Sequence, residues 1–196
     1  MADWVERQIN KKLCEQFPYL VPRNVFTDKI PEDYDYDYIL GEYELPKGWH
    51  NLFFQMCQDI KKPLINNNYL EKFRFEQIKE KYGTMRCYVC GAPEEVHDIV
   101  DKYEYLSQFI CESCGKPAKY VTSGWIGSYC EDCIKNKLKP EYINECETLQ
   151  FDPIMKIIRY SDDKKEHIEV DCSDEWNRYL KVCDAWNRYL EVLKQE

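Results

Sequence analysis

The feature that most constrains this chain is the segment CESCGKPAKYVTSGWIGSYCEDC, which carries two Cys-x-x-Cys pairs. Cys111 and Cys114 form the first pair, and Cys130 and Cys133 form the second. Gly115 follows the first pair directly, as a metal-binding knuckle requires for close approach of its backbone. Four thiolates complete a closed tetrahedral shell without an open position for water, which indicates structural Zn²⁺ rather than a catalytic ion. The sequence therefore predicts a zinc module with these four cysteines as ligands.

The second cysteine pair runs into IKNKLK, which has the composition of a helix. Its thiolates would then lie at the positively charged N-terminal end of that helix. A first pair in a knuckle and a second pair at the start of a helix resemble treble-clef or ribbon-like zinc fingers. Buried free thiols and redox pairs are the two alternatives at this point.

The composition is that of a folded, acidic protein. Of 196 residues, 44% are hydrophobic and 15% are aromatic, which is enough to bury a core. The formal net charge of −9 disfavours nucleic acid as a partner, because phosphate contacts depend on Lys and Arg. A DNA-binding zinc finger is a weaker hypothesis for the same reason, since KPAKYVTSGWIGSY holds two lysines and no arginine.

The eleven cysteines bear on the compartment. Residues 1–20 lack the unbroken apolar core and the small-residue cleavage site of a secretory signal. No apolar run approaches the length of a membrane-spanning helix. We therefore expect a cytoplasmic protein without a membrane partner, where clustered cysteines bind metal more often than they form disulfides.

Periodicity predicts an α+β fold of β-hairpins packed with helices. Apolar residues at helical spacing predict helices over 3–17, from Leu52 to Ile60 and after Pro93. Strand-like runs around the charged SDDKKE loop predict a hairpin over 153–172. We divide the chain into an N-terminal helix with an acidic Tyr-rich segment (1–47), an α+β core with a basic hairpin (48–110), the zinc module (111–139), and a C-terminal hairpin and helix (140–196).

The acidic segment contains the alternating run DYDYDY at 33–38. This alternation fits a half-exposed strand and a loop equally well. The segment is interpreted as solvated surface, and the alternative is a set of carboxylates presented to a basic partner.

The C-terminus holds a short repeat, in which DEWNRYLKVC at 174–183 recurs as DAWNRYLEVL at 184–193. A step of ten residues advances a helix by about 1000°, so the two copies do not share a face. Apolar residues instead form one stripe at alternating spacings of three and four. The stripe, predicted to be a core contact or the seam of a homo-oligomer, contains Trp176, Tyr179, Cys183, Trp186, Leu190 and Leu193.

The stretch EQIKEKYGTMRCYVCG at 76–91 predicts another hairpin, with Tyr82-Gly83 as a two-residue turn. In that register Lys81 faces Thr84, and Lys79 faces Arg86. One face of the hairpin is then apolar, and the other carries three cations and Tyr88. Tyr is not ideal at the first position of such a two-residue turn, and a three-residue loop would instead flip one strand and mix the two faces. Like charges directly opposite each other are unfavourable, so a carboxylate or an anionic ligand should offset them.

Two interpretations of this cationic face remain. In the first, Lys79, Lys81, Arg86 and Tyr88 bind a small anionic, nucleotide-like ligand, since Arg makes bidentate phosphate contacts and Tyr stacks on a base. In the second, the cations pair internally with Glu80, with Glu94 or with the acidic 32–44 segment.

A third cysteine pair, Cys87 and Cys90, lies on the second strand of this hairpin. Side chains three residues apart on a strand point to opposite faces, which argues against a shared metal ion. A metal site would require the strand to end at Val89.

The order of these motifs resembles a family of small uncharacterised bacterial and phage proteins. Its members have a Gly-Trp helix start, a KEKFGxLRFYV-like segment and a zinc-binding module of four cysteines. The resemblance covers roughly residues 38–135, and the chain departs from it at Tyr82, Met85 and Cys87. It implies a fold and a phage-like origin, without an assigned activity. The matching residues are Gly48, Trp49, Lys79, Glu80, Lys81, Gly83, Arg86, Tyr88, Cys111, Cys114, Gly115, Trp125, Cys130 and Cys133.

The sequence thus favours a non-catalytic, zinc-containing protein that binds a small anionic ligand. The resemblance extends this hypothesis to sequestration of a host immune signalling nucleotide in the host cytoplasm. The alternative is an interaction module that inhibits a host protein through its acidic Tyr-rich surface and C-terminal helix. An enzyme is a weaker hypothesis, because there is no Gly-rich phosphate loop or nucleophile elbow, and His50, His97 and His167 lie in different elements.

Overall fold

The computed structural model describes residues 4–24, 26–161 and 164–193, with side chains described except at 160, 161, 164 and 184–193. It has the predicted α+β architecture of small antiparallel sheets packed with helices. The elements are α1 (Trp4–Gln16), α2 (His50–Asn66), β1 (Arg74–Lys81), β2 (Thr84–Cys90), α3 (Glu94–Ser107), β3 (Tyr120–Val121), β4 (Ser128–Tyr129), α4 (Glu131–Lys137), α5 (Pro140–Ile143), β5 (Glu147–Thr148), β6 (Ile154–Ser161), β7 (Lys164–Asp171) and α6 (Ser173–Leu193).

The core forms where α2 and α3 pack against each other and against the β1–β2 hairpin. The apolar positions of α2 recur at three- and four-residue spacing, so one face of the helix is fully buried. Leu52, Met56 and Ile60 on that face are each 0% exposed. Val96 and Tyr103 of α3 meet them and are also 0% exposed.

The register of the β1–β2 hairpin agrees with the sequence prediction. Lys81 pairs with Thr84, and Lys79 pairs with Arg86. Tyr82 and Gly83 both have positive φ angles, of 54° and 72°, as the primed hairpin turn requires. The free edge of β2 is covered by α3, because Ser107 Oγ accepts the Met85 N–H and the Glu104 carboxylate accepts the Cys87 N–H.

The N-terminal region differs in detail from its sequence pattern. Helix α1 forms, yet Val5 and Ile9 are more than half exposed, and the helix buries Asn10 and Cys14 instead. The DYDYDY run is a loop of turns and bends rather than a strand. Tyr34, whose hydroxyl donates to the carbonyl of Tyr38, packs against its neighbouring tyrosines.

The C-terminal region pairs β6 with β7 and continues into α6. Trp176, Tyr179 and Cys183 of the predicted stripe are buried, at 7%, 0% and 8% exposure. The other stripe residues, Trp186, Leu190 and Leu193, lie outside the described side chains, so the oligomer seam stays a prediction. Within the described ranges, none of the helices combines the length and the apolar character needed to cross a membrane.

Candidate metal centre and cationic face

The four predicted cysteine ligands come together in one cluster. The sulfur atoms of Cys111, Cys114, Cys130 and Cys133 all lie within 4.8 Å of one another. Cys111 and Cys130 are buried, Cys133 is half-buried and Cys114 is exposed. A set of four thiolates at this separation suits a tetrahedral ion such as Zn²⁺ or iron. The cluster is therefore a candidate metal site with a closed shell of protein ligands.

A tight turn presents the first cysteine pair. The N–H of Gly115 donates to the carbonyl of Cys111 at 2.9 Å, and the N–H of Cys111 donates to the carbonyl of Lys116 at 2.8 Å. Gly115 has a φ of 76°, a left-handed conformation that glycine adopts without steric cost. This turn aims both thiols of the pair to the same side.

The second pair lies at the N-terminus of α4, as the sequence predicts. Cys130 caps the helix, and its sulfur accepts the N–H of Cys133 at 3.5 Å. Burial raises the pKa of the Cys130 thiol, but hydrogen bonds from this N–H and from the Cys114 thiol outweigh burial and leave its pKa below the ordinary value. Burial raises the pKa of Cys133 to about 11. Metal binding at this cluster would displace the protons of the neutral thiols.

The short strands between the pairs complete the module. Strand β3 lies between β4 and β5 in a three-stranded sheet, so residues 147–148 join a sheet that begins at Tyr120. Glu112 holds the knuckle to β4, because its Oε1 accepts the Ser128 N–H at 3.0 Å. The order of knuckle, hairpin and helix is the predicted treble-clef-like or ribbon-like arrangement.

Gly48 and Trp49 attach the metal module to the core, a role that the sequence alone did not indicate. The N–H of Gly48 donates to the Glu112 carbonyl at 2.9 Å, and Trp49 Nε1 donates to the Ile110 carbonyl at 3.1 Å. A Cβ atom on residue 48 would lie 2.0 Å from the Cys111 carbonyl oxygen, so only glycine fits there. The Gly-Trp pair was visible in the sequence, but only as part of the family pattern.

Helix α6 also contacts the metal knuckle. The Tyr179 hydroxyl donates to the Gly115 carbonyl at 2.5 Å, and the Cys183 thiol donates to the same oxygen at 3.5 Å. The first cysteine pair and the C-terminal helix are thus connected through one backbone carbonyl.

Cys87 and Cys90 do not form a second cluster. Cys87 is buried in the core, whereas Cys90 is half-buried at the end of β2. Among the described residues, only the Cys111 group brings three or more potential ligands close enough to hold a metal ion.

The cationic face of the first hairpin is open to solvent. Lys81 and Tyr88 are exposed, and Lys79 is half-buried. Lys79 Nζ lies 5.1 Å from the Tyr88 ring centroid and donates to Gln77 Oε1 at 2.7 Å. Neither Lys79 nor Lys81 forms an ion pair with the described residues.

Arg86 differs from the two lysines because it has an internal carboxylate partner. Its Nη1 lies 3.2 Å from Glu104 Oε2. Burial raises the pKa of Glu104, although the Cys87 N–H and Arg86 act in the opposite direction. The partner is thus Glu104 of α3, rather than Glu80, Glu94 or the 32–44 segment.

Comparisons of the chain with protein-family models, with curated proteins and with solved structures found no match. The resemblance of residues 38–135 to a bacterial and phage family therefore stays a prediction. Function is therefore inferred from the geometry of the cysteine cluster and of the hairpin.

Proposed function

We propose that this chain is a non-catalytic binding protein, in which structural Zn²⁺ fixes the fold and the first hairpin binds a small anionic ligand. Zinc is the proposed ion because four thiolates form a closed tetrahedral shell, and a closed shell has no position for a catalytic water. The metal joins the knuckle to α4, and Gly48 and Tyr179 transmit that rigidity to the core.

One observation carries the ligand part of the proposal: Lys79 and Lys81 lie on an open hairpin face without an ion-pair partner among the described residues. Lys79 also stands directly opposite Arg86 in the ladder. Glu104 already offsets part of the charge of Arg86, so an anion on this face would mainly compensate the two lysines.

The chemistry of the face favours a nucleotide-like ligand. The two lysines supply point charges, and Arg86 presents a planar fork suited to a phosphate group. Tyr88 is 44% exposed, and its ring could stack on a base once Lys79 turns toward the phosphate. In a phage-infected cell such a site would sequester a nucleotide immune signal, an extension that depends on the family resemblance.

Isothermal titration with a panel of nucleoside phosphates and cyclic dinucleotides tests this function. We expect one ligand class to bind, and Lys81→Gln to weaken its binding by about 1.5–3 kcal/mol, the range for a hydrogen bond to a charged group. Lys137→Gln is the matched control, because both lysines lie over a tyrosine ring. Lys81 lies over Tyr82, whereas Lys137 lies over Tyr129 of the metal module. Absence of binding across the panel, or equal loss in both variants, would overturn the proposal.

A protein partner is a second candidate, favoured by two exposed aromatic side chains on loops near the hairpin turn. Trp125 is 83% exposed and Tyr82 is 69% exposed. A Cβ atom on Gly83 would lie 3.1 Å from the side chain of Ile126, so the hairpin turn and the module loop are neighbours. Binding of a protein partner that is lost in Trp125→Ser and unaffected by Lys81→Gln would support this function over the first.

A further inference from the structure

A cavity lies at the end of the first hairpin that is far from its turn. This cavity has the features of a second ligand site. Its volume is about 620 Å³, compared with 370 Å³ for the cleft beside Arg86. It is lined by the start of β1, the end of β2 and the loop that follows the N-terminal helix. Cavities of roughly 300–1,000 Å³ with an apolar floor and a few polar groups are typical small-molecule sites.

The floor of the cavity is aromatic. Tyr19 and Phe75 line it and are only 2% and 7% exposed. The Tyr19 hydroxyl donates to the Cys57 carbonyl in the core at 2.6 Å, so it is already satisfied there. Val21 and Leu40, both half-buried, complete the apolar wall.

Arg74 at the rim is already arranged to hold a carboxylate. Its Nη1 is anchored to the Phe73 carbonyl at 2.6 Å, which fixes the direction of the guanidinium group. Its Nε and Nη2 donate to the two carboxylate oxygens of Asp28 at 3.1 and 3.4 Å. Arg23 holds the same residue, because its Nη1 donates to the Asp28 backbone carbonyl at 2.9 Å and lies 3.6 Å from a carboxylate oxygen of Asp28.

The Asp28 carboxylate is a solvent-exposed occupant of this fork, with Arg23 as a second cationic neighbour. Its side chain is 61% exposed, whereas that of Arg74 is 22% exposed. Exposed ion pairs contribute little net stability, so another carboxylate can replace this one at small cost. Asp28 also has a φ of 54°, a conformation that is unfavourable for most residues other than glycine, asparagine and aspartate.

The remaining charges at the rim select among anions. Glu71 and Glu76 lie at the mouth together with Lys72 and Arg23. Two carboxylates there disfavour a polyphosphate, but they leave room for a single negative charge at Arg74. The site therefore differs in ligand class from the cationic face, where lysines stand without carboxylate partners among the described residues.

We propose that this cavity binds a small aromatic carboxylic acid, whose carboxylate replaces that of Asp28 on Arg74 and whose ring lies against Tyr19 and Phe75. The Asp28 carboxylate then acts as an internal competitor for the ligand.

Titration calorimetry with 2-naphthoate, and with neutral 2-naphthamide as the matched probe, tests the proposal. We expect saturable binding of the acid and at least tenfold weaker binding of the amide. Arg74→Gln should weaken naphthoate binding by about tenfold or more, as expected for loss of a charge-assisted pair. Arg86→Gln, which alters the other site, should leave it unchanged.

Asp28→Asn is the most informative variant, because an internal competitor and a structural ion pair predict different changes in the affinity for naphthoate. Asparagine tolerates the positive φ at this position but lacks the charge that competes for Arg74. Removal of an internal competitor should tighten naphthoate binding several-fold, whereas a merely structural ion pair predicts weaker or unchanged binding.

A third variant separates the cavity from the charge. Leu40→Trp fills the apolar wall without altering Arg74 and should abolish naphthoate binding in a protein that keeps its circular dichroism spectrum. Absence of naphthoate binding in the wild-type protein, equal affinity for acid and amide, or an unchanged affinity in Arg74→Gln would each overturn the proposal.

Discussion

Two segments of this chain share the pattern Cys-x-x-Cys-Gly, and they adopt different structures. CYVCG at 87–91 ends β2, whereas CESCG at 111–115 forms the knuckle of the candidate metal site. Both glycines adopt positive φ angles, of 62° at Gly91 and 76° at Gly115. The local backbone feature that usually identifies a knuckle is thus present in both.

The two segments differ in the residues between the cysteines and in what lies nearby. Tyr88 and Val89 favour an extended strand, which places Cys87 in the core and leaves Cys90 half-buried at the end of the strand. Glu112 and Ser113 accommodate a turn, which aims both thiols toward the second pair on α4. A cysteine pair therefore becomes a metal site only where the backbone converges and two more ligands arrive from elsewhere.

The largest expected effect tests this difference directly. We expect Cys114→Ser to lose the bound metal and to unfold the module, because structural zinc contributes about 10–16 kcal/mol of apparent binding free energy in zinc-finger peptides. Cys90→Ser is the matched control, since Cys90 also stands directly before a positive-φ glycine. It should keep one metal per chain and change stability by no more than about 0.5 kcal/mol.

Native mass spectrometry and metal analysis of the two variants provide the readout. Stoichiometric metal in Cys114→Ser would exclude the proposed site. Metal loss in Cys90→Ser would show that the two segments are more alike than their geometry indicates.

The second prediction concerns the attachment of the module to the core. Gly48→Ala would place a Cβ atom 2.0 Å from the Cys111 carbonyl and 2.7 Å from that of Glu112. Because neither backbone group can move without moving the knuckle, we expect a loss of about 3 kcal/mol or more in the free energy of unfolding.

Gly124→Ala is the control for this substitution, because a Cβ atom there meets nothing within 4 Å. Its φ of 75° limits the expected cost to about 1–2 kcal/mol. Chemical denaturation of the metal-loaded proteins measures both. Equal stabilities would mean that the knuckle does not rely on residue 48.

A smaller effect is expected at Arg86, the cation of the hairpin face that has an ion-pair partner among the described residues. Arg86→Ala should cost about 1 kcal/mol at pH 7, because an ion pair of an arginine that is more than a third exposed contributes little. The cost should shrink at pH 5. The pKa of Glu104 is raised in the folded state, so the native protein keeps a proton that the unfolded chain releases, and stability falls as pH rises through that window.

Loss of Arg86 deepens this pH dependence, because it removes a group that lowers the pKa of Glu104. In a Glu104→Gln background the substitution should show no such dependence. Unfolding free energies at pH 5 and pH 7, measured for the single and double variants, test the direction in which the cost of Arg86→Ala changes with pH. A cost that grows at pH 5 would contradict it.

The smallest expected effect is at Lys79. Lys79→Gln removes a charge that faces Arg86 and also a cation that lies over the Tyr88 ring, so the two changes nearly cancel. We expect stability to change by less than about 0.5 kcal/mol. Lys137→Gln, which loses a similar ring contact at 5.3 Å without relieving a cross-strand charge, should be the less stable of the two variants. The reverse order in thermal unfolding would remove the argument that the hairpin face is under repulsion.

Much of the architecture could be predicted from local sequence. The four-residue spacing of Leu52, Met56 and Ile60 predicted a buried helix face, and Tyr-Gly between alternating strands predicted a hairpin with one cationic face. The clustering of the four cysteines was also predictable, because two Cys-x-x-Cys pairs at this separation are typical of zinc sites. Periodicity correctly predicted helix α1, but Val5 and Ile9 are exposed there, since a stripe predicts a helix but not which neighbour covers it.

The chain by itself determined its helices, its hairpins, the register of the cationic face and the identity of the clustered cysteines. These properties depend on residues close in sequence, where side-chain period and turn geometry leave few choices. Only the tertiary structure decided that Glu104 is the partner of Arg86, that Gly48 lies against the knuckle, and that the carboxylate of Asp28 pairs with Arg74. Those contacts join residues 18, 63 and 46 positions apart. Local propensity contains no information about contacts at such separations, because they depend on how whole elements pack against one another.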